Sequence, residues 1–362
     1  MLKKVLITIG VIIGIIVTIA ISGYFYLKPN KNTVLNFIKD NSERTSILLM
    51  RNDSILASKS IDKIFPLAST VKIIIAIEYS EQSSKKIINP DELIDLKELE
   101  IYLVENTDGG AHNSWITSIK SKIIDNKVSI KEIAKGMIKF SSNANTEWLI
   151  SKLGYENINN QLKKLGLTNH SEIYYLVSSL FVSKEAFPNL KGKDLVKNLK
   201  TLKNEDFVRY SKIVHEKLKK DSTYKKDTEF LDEIEIQRIW SDNLPNSTAK
   251  EYVSIVKKMN NKNYFDAESQ KYLDEVMEFL LENPKNRSWL KHAGNKGGST
   301  AFLLTKAIYA TDTKENKTEM SYFLNDLSVL ELIRLQASLN EFELNILNNK
   351  KFREEIKKNL EK

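Results

Sequence analysis

The chain has 362 residues and carries 55 Lys and Arg against 47 Asp and Glu, a formal net charge of +8. Hydrophobic residues make up 41% of it, enough to fill the core of one or two domains. The absence of cysteine excludes disulfides, thiol catalysis and cysteine-ligated metals. The basic residues form no stripe with interleaved aromatic residues, so we expect no nucleic-acid partner. The histidines show no metal-ligand spacing, and we expect no metal or other cofactor.

The first predicted element is a membrane-spanning segment. Residues 5–27 contain no charged side chain, and about 20 apolar residues cross the core of a bilayer. Lys3 and Lys4 precede the run, which favours a cytoplasmic N-terminus. We therefore expect residues 1–27 to be a single-pass anchor, with the rest of the chain on the extracytoplasmic side. A cleaved signal peptide, with Ala20-Ile21-Ser22 as a weak cleavage site, is the alternative.

A helix and a hairpin follow the leader. Residues 28–43 predict a short tether and a first amphipathic helix, because the apolar residues in 34–38 fall on one face. Residues 45–50 and 55–60 are predicted strands. The turn residues 51–54 between them indicate a hairpin.

The middle of the chain is predicted to be helical, and strands return near its end. Strand patterns appear at 300–311 and 319–324, before a closing helix from about Leu327. Strands from both chain ends can share one antiparallel sheet, with the terminal helices on one of its faces. We predict an α/β (α+β) fold in which residues 44–362 form one domain, with a separate helical lobe at about 73–287. A cleft is expected where sheet and lobe meet. The sequence indicates no role for the highly charged residues 185–240.

Ser69 is the first candidate for chemistry, because it opens a helix that continues with isoleucines. Lys72 follows on the same helix face, and apolar neighbours would bury its amine and lower its pKa. The start of a helix also supplies free N–H groups for an oxyanion. Other Ser-x-x-Lys copies exist, such as Ser60/Lys63 and Ser254/Lys257. The Ser69 copy differs because it opens an apolar helix soon after the hairpin.

The second candidate is Ser141-Ser142-Asn143, between two helical stretches. A hydroxyl and a carboxamide two residues apart in a loop can face one cleft, and a helix cap is the alternative. Ser241-Asp242-Asn243 offers the same residue types but lies far from Ser69. We interpret that segment as a loop that caps the helix beginning at Thr248.

The third candidate is Lys296-Gly297-Gly298-Ser299, which leads into the late strands. Glycines on an edge strand allow a substrate backbone to lie close, and the neighbouring ammonium can bind a carboxylate. A turn at the entry to a strand is the alternative interpretation.

Together the three motifs resemble those of the serine β-lactamase and penicillin-binding protein family, which are Ser-x-x-Lys, Ser-x-Asn and Lys-Thr-Gly or Lys-Gly-Gly in that order. The likeness covers the whole predicted domain and is greatest to the class A β-lactamase branch. It implies a serine hydrolase at the cell membrane of a bacterium. Its partners would be a β-lactam or cell-wall peptide substrate and, through residues 1–27, the membrane.

The resemblance also implies roles for individual residues. Ser69 would attack a carbonyl, Lys72 would take its proton, and Ser141 would relay a proton to the leaving nitrogen. The N–H groups of Ser69 and Ser299 would form the oxyanion hole. Trp115 is a candidate for the cleft wall or for the core. Residues that bind the substrate would be Asn143, Lys296, Gly297, Gly298 and Ser299.

One part of the class A pattern is weak in this sequence. Class A β-lactamases remove the acyl group with a Glu that is followed by an Asn on a loop after the second motif. Glu172 and Glu185 are the candidates, and neither stands in the usual context. The alternatives to a β-lactamase are therefore a D-Ala-D-Ala peptidase of the cell wall and a penicillin-binding receptor that is acylated without turnover.

Overall fold

A computed structural model describes residue 23, residues 26–226 and residues 228–360. The predicted anchor at residues 1–27 lies almost entirely outside these residues. Within the described part of the chain, no helix is both long enough and apolar enough to cross a membrane.

A five-stranded antiparallel sheet joins the two ends of the chain, in the strand order β2-β1-β9-β8-β7. Side chains alternate between its faces. On β8, Ile308 joins the core beneath the terminal helices, whereas Ala307 and Tyr309 join the core of the helical lobe. The strands are β1 (Thr45–Arg51), β2 (Ser54–Lys59), β7 (Leu290–Ser299), β8 (Leu304–Asp312) and β9 (Lys317–Leu324).

The terminal helices pack on one face of this sheet. They are α1 (Lys31–Asp40), α15 (Val329–Asn348) and α16 (Lys350–Leu360). The sequence predicts one closing helix from about Leu327, whereas the structure has two helices, the first of which begins at Val329. Ser328 and Glu331 form a capping box that starts α15, and an extended Asn349 separates α15 from α16. The antiparallel sheet with terminal helices on one face confirms the predicted mixed α/β fold.

The other face of the sheet carries the helical lobe, whose central helix α2 is buried on almost every side. Two short antiparallel strand pairs, β3-β6 and β4-β5, join segments of the lobe that are distant in the sequence. The remaining elements are α2 (Lys72–Ser84), α3 (Leu96–Glu100), α4 (Ala111–Ser118), α5 (Ile130–Lys135), α6 (Asn143–Leu153), α7 (Tyr155–Leu165), α8 (Val182–Ala186), α9 (Gly192–Leu199), α10 (Asn204–Lys220), α11 (Ile234–Asp242), α12 (Ala249–Asn261), α13 (Ala267–Met277), α14 (Pro284–Arg287), β3 (Ile64–Pro66), β4 (Leu93–Asp95), β5 (Lys127–Ser129) and β6 (Asn246–Thr248).

A long insert leaves this lobe and returns to its starting point. The Ser171 N–H donates to the Asn246 carbonyl at 2.9 Å, and the Asn246 N–H donates to Ser171 Oγ at 2.8 Å. Residues 172–245, here called the cleft insert, are therefore closed at their base by two hydrogen bonds. The charged region 185–240, for which the sequence indicates no role, makes up most of the cleft insert. The whole insert contains α8 to α11.

Candidate active site

Ser69 lies in a tight helical turn, Ala68–Val71, that leads into α2. Ala68 is buried and has a φ of +44°, a left-handed conformation that costs a non-glycine residue about 1–3 kcal/mol. This backbone directs Ser69 into a cavity of about 380 Å³. Within the described residues, the Ser69 hydroxyl makes no hydrogen bond, so it is free to turn towards a substrate.

Lys72 is completely buried at the start of α2. Its Nζ donates to the Ser141 carbonyl and to Asn143 Oδ1, both at 2.8 Å, and contacts Ser141 Oγ at 3.3 Å. Burial lowers the pKa of Lys72 to about 7, against a smaller opposing effect of the Asp108 carboxylate. A large fraction of this amine is therefore neutral near pH 7 and able to accept a proton.

The second motif takes its shape from an irregular turn. Residues Gly136–Phe140 form one turn of π-helix, and Ser141 then adopts a left-handed φ of 70°. A Cβ on Gly136 would lie 2.4 Å from Asn145 Nδ2 and 2.6 Å from Trp115 Nε1, so only glycine fits. Trp115 is 1% exposed and belongs to the core beneath this turn, not to the cleft wall.

The third motif lies on β7, at the edge of the sheet. Lys296 is buried, and its Nζ donates to Ser141 Oγ at 3.0 Å and to the Gly297 carbonyl at 2.7 Å. Burial lowers the pKa of Lys296 well below its usual value, and the nearby charges of Lys72 and Lys306 lower it further. The Ser141 hydroxyl thus lies between two buried amines, which is the position of a proton relay.

Gly298 allows the third motif to approach the nucleophile. A Cβ at this position would lie 2.5 Å from the Leu67 carbonyl oxygen and 2.7 Å from the Ser69 nitrogen. A Cβ on Gly297 would have the flexible side chain of Lys306 as its nearest neighbour, at 3.2 Å, and the Thr305 carbonyl oxygen at 3.5 Å. Gly298 is therefore required for the close approach of β7 to Ser69, whereas Gly297 has more room.

The structure brings the three predicted motifs together at one cavity. Asn143 accepts from Lys72 through Oδ1, which leaves its amide N–H groups to donate to a substrate carbonyl. Eight of the eighteen lining residues belong to the cleft insert: Leu176, Leu180, Thr228, Leu231, Asp232, Gln237, Trp240 and Leu244. The others are Ala68, Ser69, Glu105, Asn106, Thr107, Asn143, Ser299, Thr300, Ala301 and Phe302.

Ser241 differs from its predicted role. It is buried near the end of α11, and its hydroxyl lies 2.8 Å from Thr300 Oγ1, so it does not cap the following helix. Thr248 itself caps α12, because its side chain accepts from the Glu251 N–H. Ser241 thus joins the cleft insert to the wall that follows the third motif.

The two predicted deacylation acids do not line the cleft. Glu172 accepts a hydrogen bond from Tyr155 and lies 3.7 Å from Lys212 Nζ. Glu185 accepts from Lys217 Nζ and from the Tyr224 hydroxyl, each at 2.7 Å.

The acids that do line the cleft are Glu105 and Asp232, and both are exposed to solvent. Where the cleft insert leaves the lobe, it presents Leu176 and Leu180 to the cavity. This part of the wall is therefore apolar.

A group of three residues outside the cleft, Asp274, Glu278 and His292, is close enough to ligate a cation. Lys262 Nζ donates to Asp274 and to Glu278 at 2.6 Å each, so a lysine already balances these carboxylates. The arrangement is that of a half-buried ion-pair network.

Glu147 anchors the cleft insert and was not singled out from the sequence. It is fully buried on α6, and its carboxylate accepts from the N–H groups of Val177 at 2.9 Å and Ser178 at 3.2 Å. His215 Nδ1 lies 3.2 Å from the same carboxylate, and the His215 ring stacks on Tyr175 at 3.7 Å between centroids. The available sequence signal is a lone acid directly before the apolar run Trp148-Leu149-Ile150.

We expect Glu147→Ala to destabilise the domain strongly. The change leaves two backbone N–H groups and a histidine without their buried partner, which costs about 3–5 kcal/mol. Urea unfolding followed by circular dichroism measures the difference. Glu216→Ala is the matched control, since Glu216 follows His215 but is exposed and pairs with Lys219 at 3.2 Å on the surface. Equal stabilities of the two variants would show that Glu147 is not an anchor.

Comparison with known proteins gives the same assignment as the geometry. The model of the β-lactamase enzyme family matches residues 30–280. A search of curated protein sequences finds no match.

Solved structures show the same fold at low sequence identity. The chromosome-encoded β-lactamase of Vibrio parahaemolyticus is 12% identical with a TM-score of 0.53, covering 89% of this chain and 100% of that one. The class A β-lactamase from Mycobacterium abscessus is 12% identical with a TM-score of 0.52, covering 88% and 99%. A β-lactamase from Chitinophaga pinensis is 14% identical with a TM-score of 0.51, covering 87% and 99%. The family match spans more than half of the chain, and the protein is therefore a serine hydrolase that belongs to the β-lactamase enzyme family.

Proposed function

We propose that this protein is an exported, membrane-anchored enzyme of bacteria whose Ser69 is acylated by β-lactams or related amides. The observation that carries the proposal is the placement of Ser69 at a cavity, three residues before a buried lysine whose pKa is lowered to about 7. Anchoring rests on the charge-free sequence of residues 5–27 behind Lys3 and Lys4.

Acylation needs a nucleophile, a base, a proton donor and an oxyanion hole. Ser69 Oγ attacks the substrate carbonyl and loses its proton to the neutral amine of Lys72. Ser141 passes a proton to the leaving nitrogen, because its hydroxyl contacts both buried amines. The Ser69 and Ser299 N–H groups hold the oxyanion. The Ser69 N–H is at the start of a helical turn, where amide groups lack a partner within the helix.

Substrate binding uses the remaining motif residues. Lys296 attracts the substrate carboxylate, and the arriving negative charge favours the ammonium form that burial disfavours. Asn143 donates its amide to the carbonyl of the substrate side chain. The apolar part of that side chain faces the cleft insert, where Leu176, Leu180 and Trp240 line the cavity.

A second function, a receptor that stays acylated, is favoured by the position of the acids. Glu172 and Glu185 are held by other side chains outside the cavity. Loss of a general base costs about a hundredfold to ten-thousandfold in rate, so deacylation is expected to be slower than acylation.

Penicillin should therefore form a stable adduct on Ser69, and a chromogenic cephalosporin should give a burst followed by slow turnover. Intact-mass measurement over time and stopped-flow absorbance on the full-length protein test both expectations. Ser69→Ala should abolish the adduct, whereas Ser60→Ala, in another Ser-x-x-Lys copy, should retain it. Linear hydrolysis through many turnovers without an adduct would contradict slow deacylation. Glu105 and Asp232, which line the cavity, would then be the first candidates for the missing base.

Replacement of Ser141 should slow acylation far more than replacement of Ser241. Ser141→Ala removes the hydroxyl between Lys72 and Lys296, and a positioned proton-transfer group accelerates a reaction by about a hundredfold to ten-thousandfold. Ser241→Ala removes one hydrogen bond to Thr300 and should cost about 1 kcal/mol of stability. Acylation rates and urea unfolding measure the two effects. The reverse pattern of acylation rates would move the second motif to Ser241.

The acylation rate should rise with pH through about 7, as Lys72 loses its proton. Below this pH Lys72 is protonated and cannot accept the Ser69 proton, so the rate falls about tenfold per pH unit. Stopped-flow acylation from pH 5 to 9 measures the profile. His112→Gln is the control, because burial lowers the pKa of His112 and it contacts Ser142. A profile that is flat across pH 7, or that disappears in His112→Gln, would exclude Lys72 as its source.

A further inference from the structure

The solvent side of α15 carries an unusual row of apolar side chains. Val329 is 66% exposed, Leu330 64%, Ile333 45% and Leu344 37%, and Ala337 is exposed between them. These five residues, here called the α15 stripe, repeat at helical spacing and share one face. The opposite face of the helix is buried in the core through Leu335, Phe342 and Ile346. A helix of a domain surrounded by water normally carries polar residues on its outer face.

The chain enters the domain beside this stripe. The ring of Tyr26 stacks on the guanidinium of Arg334 at 4.3 Å, and the Asn30 N–H donates to Ser338 Oγ at 3.3 Å. Tyr26 and Leu27 are themselves 42% and 38% exposed. The last residues of the charge-free run 5–27 therefore lie along α15.

Exposed apolar residues are concentrated at this place. In the described part of the chain, fourteen large apolar side chains are exposed, and six of them are Tyr26, Leu27 and the four large members of the α15 stripe. No member of the stripe is charged. The nearest acid on the inner side, Glu331, pairs with Arg44 at 2.8 Å. One exposed polar residue, Asn340, lies on the same face between Ala337 and Leu344, and Gln336 and Glu341 border that face.

We propose that the α15 stripe lies on the surface of the lipid bilayer in which the predicted anchor, residues 1–27, holds the chain. The inference rests on the proposed membrane anchoring, and it adds which face of the domain the lipid contacts. An anchor that ends beside an exposed apolar helix brings that helix to the membrane interface, where partly buried apolar side chains are stable. A second copy of the chain is a poorer occupant, because a stable dimer normally buries about 1,200 Å² or more and this row is one helix wide.

Contact with lipid would fix the position of the active site. The Leu327 N–H, two residues before the stripe, donates to the Phe302 carbonyl at 2.8 Å. Phe302 lines the cavity, and Arg238 stacks on its ring at 4.1 Å while pairing with Asp326 at 2.9 Å. The cleft wall formed by Phe302 is thus directly joined to the start of α15. The cleft would lie near the bilayer surface, within reach of substrates held there.

The absence of cysteine makes this orientation measurable with a single label. Leu330→Cys in the full-length protein, carrying an environment-sensitive fluorophore, is reconstituted into phosphatidylcholine and phosphatidylglycerol vesicles. Lipids with a nitroxide near the headgroup report contact by quenching. Ile87→Cys is the matched control, because Ile87 is 66% exposed on the helical lobe. We expect several-fold stronger quenching at position 330 than at position 87, and the same result with Val329→Cys.

The outcomes separate this inference from the others. Protein that floats with the vesicles but shows equal quenching at the two sites overturns the orientation while anchoring holds. A label at position 330 that is shielded from water yet not quenched by lipid also overturns it, because another protein segment then covers the stripe. Protein that does not float overturns both anchoring and orientation. Adduct formation on Ser69, measured on the same samples, tests the proposed chemistry independently and shows that the labelled variants are folded.

Discussion

The burial of two lysine amines around one hydroxyl is the constraint on which the active site depends. An ammonium group without water is costly, so Lys72 and Lys296 both have lowered pKa values. Each amine needs polar partners in place of water, and Ser141 supplies an oxygen to both. Two irregular backbone features position the hydroxyl groups of Ser141 and Ser69. The π-helical turn before Ser141 brings its hydroxyl between the amines, and the left-handed Ala68 turns Ser69 towards the cavity.

The cleft insert, residues 172–245, forms part of the wall of the active-site cavity. Its base is closed by Ser171 and Asn246, next to the strand that precedes the nucleophile, since the Leu67 N–H donates to the Pro245 carbonyl at 2.9 Å. Near the start of the insert, the Val177 N–H donates to Glu147, which lies on the helix that follows the second motif. Near its end, the Ser241 hydroxyl hydrogen-bonds to that of Thr300. The insert is therefore attached to the elements that carry the catalytic residues. Because of this attachment, substitutions in the cleft insert can change the shape of the cavity while the nucleophile Ser69 stays the same.

The two faces of the sheet contact different parts of the domain. One face packs against the helical lobe, and the edge strand β7 borders the cleft there. The other face is covered by α1, α15 and α16. Phe302 and Leu327 connect the two sides, because the loop after β7 hydrogen-bonds to the residues before α15. The loop after β7 therefore connects the wall of the active site to α15, along which the chain enters the domain.

The sequence by itself determined most of the elements and the chemical groups, but not the strand β7 or the break between α15 and α16. The hairpin, the late strands and the helical middle follow from side-chain periodicity, which is local, and the three motifs follow from residue type and order. What only the tertiary structure decided depends on contacts between distant residues. The role of residues 185–240 became visible through the pairing of Ser171 with Asn246, and the position of Ser241 through Thr300. The places of Trp115, Glu147 and the two candidate acids depend on which side chains surround them after folding. Burial and partners, which set pKa values and expose or hide a carboxylate, are not encoded in any short stretch of sequence.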